Sequence, residues 1–337
     1  METEFSDYFT YGIHNSAVRH LWAAFTILTI LSAQLGGIII LISTIRYNAL
    51  RLHRFTVTII QHIAACDIIS SLVLSTFLVS LLANGNVLGT FICHARAYLA
   101  LYSFPASLHL MAALTTTKYL LLKFPLNDTN WSRRRARWVC GTIWFYSIIF
   151  PFSLFLTDRH DVGFDYREYD CRYFFSSGVW KTVRPIVAVF LCLLPSLIVP
   201  ITTALLILEA RKVARRHRDN LRWQGLITVI LTALVFVVSV APISFYSVLG
   251  YVVVEQFSET DQVTFYRLAV TCLSINVMYN FYLYSFTVSS FRKFLVSRAK
   301  SFCRKDRRPG SVSRGQISET RLTGTTSSIK YSSVAAS

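Results

Sequence analysis

Apolar residues in this chain come in long blocks, and most charged residues are confined to the short stretches between them. Seven blocks reach the length of about 20 mostly apolar residues that a helix needs to cross a hydrocarbon core. They are Leu21–Thr44, Phe55–Ala83, Thr90–Leu122, Arg137–Thr157, Arg184–Leu208, Gln224–Val252 and Tyr266–Ser289. Lipid offers no partner for an unpaired backbone group, so each block is predicted to be helical. Beyond the last block, Phe291, Phe294 and Leu295 recur at helical spacing within the basic stretch Ser290–Ser301, the pattern of an interfacial amphipathic helix. The expected fold class is all-α: a short extracellular N-terminus (1–20), a seven-transmembrane helix bundle (21–289), an amphipathic juxtamembrane helix (290–303) and a disordered cytoplasmic tail (304–337).

Composition strengthens this reading. Of 337 residues, 53% are hydrophobic and 15% charged, whereas soluble domains carry about a quarter charged residues. The net charge of +17 would suit a nucleic-acid partner, but its placement argues against one. Basic residues follow blocks one (Arg46, Arg51, Arg54), three (Lys123, Arg133, Arg134, Arg135, Arg137) and five (Arg211, Lys212, Arg215, Arg216), and then the last block. The opposite loops are acidic, from Glu2, Glu4 and Asp7 through Asp158, Asp161, Asp165, Glu168 and Asp170 to Glu255, Glu259 and Asp261. Basic loops stay cytoplasmic, so the N-terminus is expected outside the plasma membrane. The first 20 residues lack a positive n-region and a short apolar core, so the first block is expected to act as an uncleaved insertion signal. No internal repeat is visible, which counts against an inverted-repeat transporter.

On this map Cys93 and Cys171 both fall on the oxidising side, and a disulfide between them is expected. Cys66, Cys140, Cys192 and Cys272 lie inside blocks and read as small packing residues. Cys303 ends the amphipathic stretch and is either a palmitoylation site or an unmodified cytosolic thiol.

Ionisable groups at membrane depth are costly and mark functional sites. Asp67, in the middle of the second block, needs either a proton or polar partners. Ser103, Ser107, Asn276 and Asn280 are the candidates, and together they would form an oxygen-rich cage for a sodium ion or ordered water. Pro105, Pro151, Pro195, Pro200 and Pro242 lie within blocks, where each removes a backbone hydrogen bond and favours a kink.

The order of these landmarks resembles the rhodopsin-like (class A) G-protein-coupled receptors across nearly the whole chain. The matching residues are Asp67, Cys93 with Cys171, Lys118-Tyr119 before Pro125-Leu126, Trp144, Pro200, Phe236 with Pro242, Asn280 with Tyr284, and Phe291-Arg292 opening the eighth helix. The resemblance implies a cell-surface receptor that binds an extracellular ligand and opens its cytoplasmic face to a heterotrimeric G protein. It also implies a sodium cage at Asp67, Ser107, Asn276 and Asn280. Activation and coupling would fall to Thr117, Lys118, Tyr119, Phe236, Pro242, Asn280 and Tyr284.

The chain departs from the family pattern at several of these positions. Asp/Glu-Arg-Tyr is Thr117-Lys118-Tyr119, which exchanges a planar fork of donors for a point-like ammonium. The acidic residue often found at the base of span six is Arg222. The Cys-Trp-x-Pro switch reads Ser239-Val240-Ala241-Pro242, and Asn-Pro-x-x-Tyr reads Asn280-Phe281-Tyr282-Leu283-Tyr284. Leu208 replaces the span-five tyrosine, and Gly36-Gly37 stands where Gly-Asn is usual. None of these is needed to pack the bundle, so the alternative reading keeps the fold: a ligand-binding seven-helix protein with weak or no G-protein coupling. A channel or transporter is the remaining competitor.

The family's pocket maps onto Arg96, Ala100, Leu101, Phe104, Cys192, Ser196, Ile243, Ser244, Ser247, Val270 and Ser274. Ala100 replaces the aspartate of amine receptors, so a salt-bridged biogenic amine is not expected. Arg96, with Lys181, Arg184 and Arg267 at span ends, would suit a lipid acid or another amphiphilic anion. The acidic loop 158–170 would suit a basic peptide, and the same charges would equally serve to solvate loops. The tail from Ser311 is rich in Ser and Thr and is expected to dock arrestin once phosphorylated, or else to be an inert solvated tail. The basic cytoplasmic side is expected to meet anionic membrane lipid. No metal-ligand spacing, nucleophile elbow or phosphate loop appears, so an enzyme is not expected and no cofactor beyond the sodium ion is implied.

Overall fold

Side chains three and four apart along a helix share a face, so a helix in a bundle packs one face and leaves the other to its surroundings. The first helix shows this: Ala33 and Ile40 are buried, while Leu31, Leu35, Ile38, Ile42 and Ile45 stand out of the bundle. An outward face made of Leu and Ile suits lipid and not water. The computed structural model of the chain describes residues 16–47, 53–124, 132–157, 162–165, 170–173, 183, 186–216, 223–249 and 259–306.

These residues form seven long helices packed side by side in a bundle. They are α1 (Ser16–Arg46), α2 (Arg54–Ala83), α3 (Gly89–Lys123) and α4 (Arg133–Thr157), then α5, α6 (Trp223–Leu249) and α7 (Glu259–Thr287). Helix α5 starts at 186–188, passes through a π-helical turn, Val189–Leu193, and continues as Leu194–Arg216. Helix α8 (Ser289–Asp306) follows α7 after Val288. The chain divides after Leu295 into two units, and the described part of the second is the helical stretch 296–306.

Among the described residues, four helical stretches are long and apolar enough to cross a membrane: Arg19–Arg46, Arg54–Ala83, Gly89–Lys123 and Ile186–Val213. Ile230–Tyr246 in α6 is a shorter apolar stretch. Helices α1, α4 and α7 begin before the apolar blocks predicted from sequence, because helical hydrogen bonding continues into the polar flanks at Ser16, Arg133 and Glu259. Between α4 and α5 lies an antiparallel hairpin, β1 (Val162–Asp165) with β2 (Asp170–Tyr173), which no sequence pattern announced. Its register sets Phe164 opposite Cys171 and Asp165 opposite Asp170.

The core runs through the bundle around Ile59, Ile63, Leu108, Met111, Phe236 and Val240, and reaches Phe291 of α8. Glycines let α1 approach closely. A Cβ at Gly36 would lie 2.5 Å from Phe281 Cβ in α7, and one at Gly37 would lie 2.8 Å from Ile68 Cγ1 in α2. Asn84 ends α2 in the left-handed region (φ 57°), its N–H bonded to Ser80 O, and its side chain accepts from Arg19 of α1. Trp144 of α4 donates its indole N–H to His62 Nδ1 of α2 at 3.0 Å. That bond fixes the His62 tautomer as the one protonated at Nε2.

Candidate functional site

Cys93 sits in the first turns of α3 and Cys171 in β2, and a disulfide joins them. One helical turn further along α3, Arg96 forms an ion pair with Asp170, the residue preceding Cys171. A covalent bond and an ion pair thus tie the hairpin to α3 at adjacent levels. The guanidinium of Arg96 also lies over the Phe77 ring of α2, 5.2 Å from its centroid.

Beneath this lid is a cavity of about 300 Å³. Of the residues proposed for it from sequence, Arg96, Ala100, Leu101, Phe104, Cys192, Ile243, Val270 and Ser274 line it. Ser196 and Ser244 do not. They hydrogen-bond to each other at 3.0 Å across α5 and α6, and Ser196 also donates to Cys192 O. Ser247 lies in α6, but its side chain is outside the described residues. Sequence reasoning missed the α2 wall (Ser70, Val73, Leu74, Phe77) and Asp170 of the hairpin.

The cavity descends to a polar layer. Ser103, Ser107 and Asn276 line its deeper part, and Ser103 accepts from Ser70 at 3.3 Å. Asn280 donates from Nδ2 to Asp67 Oδ2 at 2.8 Å, and both residues are buried. Asn276 Oδ1 and Asn280 Oδ1 are buried without a hydrogen-bond partner. Of the four residues proposed as a sodium cage, only Asp67 and Asn280 touch directly by hydrogen bond among the described contacts.

At the other end of α3, Thr117 is buried, while Lys118 and Tyr119 are half-buried. Tyr119 accepts a hydrogen bond from Lys123 at 3.0 Å. No carboxylate pairs with Lys118 among the described residues. Phe236 is fully buried, Pro242 lies within α6, and Tyr284 is buried with its hydroxyl unpaired. Pro125, Leu126, Lys181, Arg184 and Arg222 lie outside the described residues, as do 1–15 and the tail from 307. Cys303 falls within α8, but its side chain is outside them. No cluster of metal-ligating His, Cys, Asp or Glu occurs among the described residues.

The family model of the 7 transmembrane receptor (rhodopsin family) matches residues 37–284, from within α1 to within α7. The chain belongs to this family. Its members are multi-pass membrane receptors and are not, as a class, enzymes. A comparison with characterised proteins finds no significant match to this receptor. The matched range takes in Asp67, Cys93, Lys118, Phe236, Asn280 and Tyr284, so the altered motifs lie inside the family's own bounds.

Proposed function

We propose that this receptor crosses the plasma membrane seven times with its N-terminus outside, binds a small extracellular ligand beneath the β1–β2 hairpin, and signals to a heterotrimeric G protein from its basic face. The observation that carries the reading is the cavity. It is bounded by the hairpin and by α2, α3, α5, α6 and α7, and it reaches from Arg96 and Asp170 down to Ser107 and Asn276. A ligand seated there touches every helix that must shift to open the opposite end, and differential contact with two packings is what moves such an equilibrium. Ala100 in its wall carries no charge, which fits a ligand other than a salt-bridged amine.

The layer below fits a sodium ion. The buried Asp67 carboxylate and the unpaired oxygens of Asn276 and Asn280 are hard oxygen donors short of partners, and Ser107 adds a hydroxyl. A bound sodium ion would neutralise the aspartate and stabilise one helix arrangement. The ends of α1, α3 and α5 present Arg46, Lys123, Arg211 and Lys212 to a cytoplasmic partner and to anionic lipid. Palmitoylation of Cys303 and arrestin docking by the phosphorylated tail belong to the same reading.

The test is ligand-independent G-protein activation, matched for surface expression, in the wild type, Lys118→Arg and Lys118→Ala. The proposal expects basal activity that falls in Lys118→Ala and is retained or raised in Lys118→Arg. Silence in the wild type with activity in Lys118→Arg would show a receptor whose coupling is limited by its lysine. Silence in all three proteins would leave a decoy, a receptor silent without its ligand and a non-receptor role to be separated by a ligand-binding screen.

A further inference from the structure

We propose that His109 of α3 is a positioning residue for the ligand cavity, holding α5 in the π-helical register that puts Val187 and Ala188 on the cavity wall. This refines the ligand-binding reading above and rests on it, but its test needs no ligand. The register has a local cause. In an α-helix Pro195 has no N–H to give Leu191 O, and its ring crowds that carbonyl. The π turn Val189–Leu193 comes just before it, and the N–H of Leu194 bonds to Val189 O, five residues back. Such a turn inserts one residue into the helix.

That register leaves a further carbonyl short. The α-register donor for Phe190 O is the N–H of Leu194, which is spent on Val189 O. The π-register donor would be Pro195, which has no N–H. A carbonyl at membrane depth finds no water, so it needs a donor from another element. His109 provides one: its imidazole is hydrogen-bonded to the backbone of Phe190. The ring is half-buried and edge-on to Tyr146 of α4, with centroids 5.2 Å apart, and Nδ1 lies 2.8 Å from Pro105 O. Pro105 O also faces the N–H of His109 itself in the regular ladder of α3, so of the two carbonyls only that of Phe190 depends on the ring.

The consequence reaches the cavity. Beyond the turn α5 is pinned, with Ser196 bonded to Ser244 of α6 at 3.0 Å and Thr202 to Thr115 of α3 at 2.8 Å. The stretch before the turn is therefore the part that answers to the register. One residue of register is about 100° of rotation and about 1.5 Å of rise. Val187 and Ala188 line the cavity, whereas Val189 is exposed and does not. If the inserted residue were taken up into an α-helix, Ala188 would stand where Val187 is and Val189 where Ala188 is. The wall would lose its valine at one place and gain one at the next, so the shape a ligand must fit is set by the register.

The experiment reads the register by cysteine labelling of the full-length receptor in phosphatidylcholine nanodiscs, with Cys192→Ala removing the native thiol of the wall. Val187→Cys and Val189→Cys are each treated with a water-soluble methanethiosulfonate, and the labelled site is mapped by peptide mass spectrometry. With His109 in place, Val187→Cys should react faster than Val189→Cys. His109→Phe keeps an aromatic ring beside Tyr146 but has no donor. There the ratio of the two rates should fall by about tenfold, the scale of one hydrogen bond lost to a desolvated carbonyl. His109→Gln retains an N–H donor and should keep the ratio seen with histidine. If His109→Phe fails to fold, Pro195→Ala gives α5 its missing N–H and should shift labelling toward Val189→Cys with the histidine present. The proposal is overturned if Val189→Cys is the faster site with His109 in place, or if the ratio is unmoved in His109→Phe, or in Pro195→Ala where His109→Phe does not fold. It is overturned equally if His109→Gln behaves as His109→Phe does. G-protein activation in the same preparations separates the two readings: absent activation removes signalling alone, and an unmoved labelling ratio removes the role of His109 alone.

Discussion

Asn280 of α7 donates its side-chain amide to Asp67 of α2 at 2.8 Å, and its own carbonyl oxygen, like that of Asn276, is left buried without a donor. Two buried amide oxygens in this layer thus lack a donor. If a sodium ion takes them together with Asp67, it binds only the folded state, and raising sodium should stabilise the receptor. At ten times the dissociation constant the gain is about 1.4 kcal/mol, enough to raise the melting temperature by a few degrees for a protein of this size. The comparison is melting in sodium against choline chloride at equal ionic strength, for wild type and Asp67→Asn. The variant should melt at one temperature in both salts, and a wild type indifferent to sodium would leave the layer to protonated aspartate or water.

The Cys93–Cys171 bond and the Arg96–Asp170 ion pair hold the same hairpin one helical turn apart. Cutting the disulfide should cost about 2–5 kcal/mol, by the scale seen when native bridges are removed. Cys171→Ala is expected to reduce surface expression strongly. Cys93→Ala with Cys171→Ala should lose no more than either alone, since one bond is broken in each case. An additive double loss would mean that the two thiols act separately.

Trp144 and His62 link α4 to α2 through one hydrogen bond at 3.0 Å in a half-buried position. Trp144→Phe keeps an aromatic ring against Tyr102, whose ring lies 5.2 Å away, but strands the His62 Nδ1 acceptor. The expected loss is about 1–3 kcal/mol. His62→Leu with Trp144→Phe should recover part of it, because no acceptor is then left unpaired. Thermal melting of the four proteins of this cycle measures the coupling. Independent effects would show that the bond contributes nothing.

The bundle was legible from sequence because the bilayer writes its thickness into the chain: α2 and α3 follow the apolar blocks that announced them, within a residue or two at each end. The hairpin was not. Val162–Asp165 and Asp170–Tyr173 are four-residue strands with mixed polarity, held by a disulfide and an ion pair made to another element. Among the sequence-proposed pocket residues, Arg96, Ala100, Leu101 and Phe104 of α3 line the cavity. The π-helical turn Val189–Leu193 alters the helical phase within α5 in a way no sequence pattern announces. Cys192 within the turn lines the cavity, whereas Ser196, four residues on, bonds to Ser244 of α6. The ion pair of Arg96 with Asp170 was equally invisible, since burial and partner choice depend on how α2, α3 and β2 meet.

At Gly36 helix α1 lies so close to α7 that an added methyl group would fall 2.5 Å from Phe281 Cβ. No real Cβ pair tolerates that distance, and a rotamer change does not move Phe281 Cβ, so Gly36→Ala must displace backbone at this contact. Overpacking of this kind costs about 1–3 kcal/mol. The strain sits on one neighbour, which makes the origin testable: Phe281→Gly removes the obstructing Cβ together with the ring. Phe281→Gly alone should destabilise by loss of packing against Phe291 and Tyr282 and by a glycine in mid-helix. In the Gly36→Ala background it should cost much less, because the clash goes with the Cβ. Thermal melting of the two single variants and the double variant, in the same detergent, reads the sign of the coupling. A double variant as unstable as the sum of its parts would mean that α1 and α7 separate to admit the methyl group.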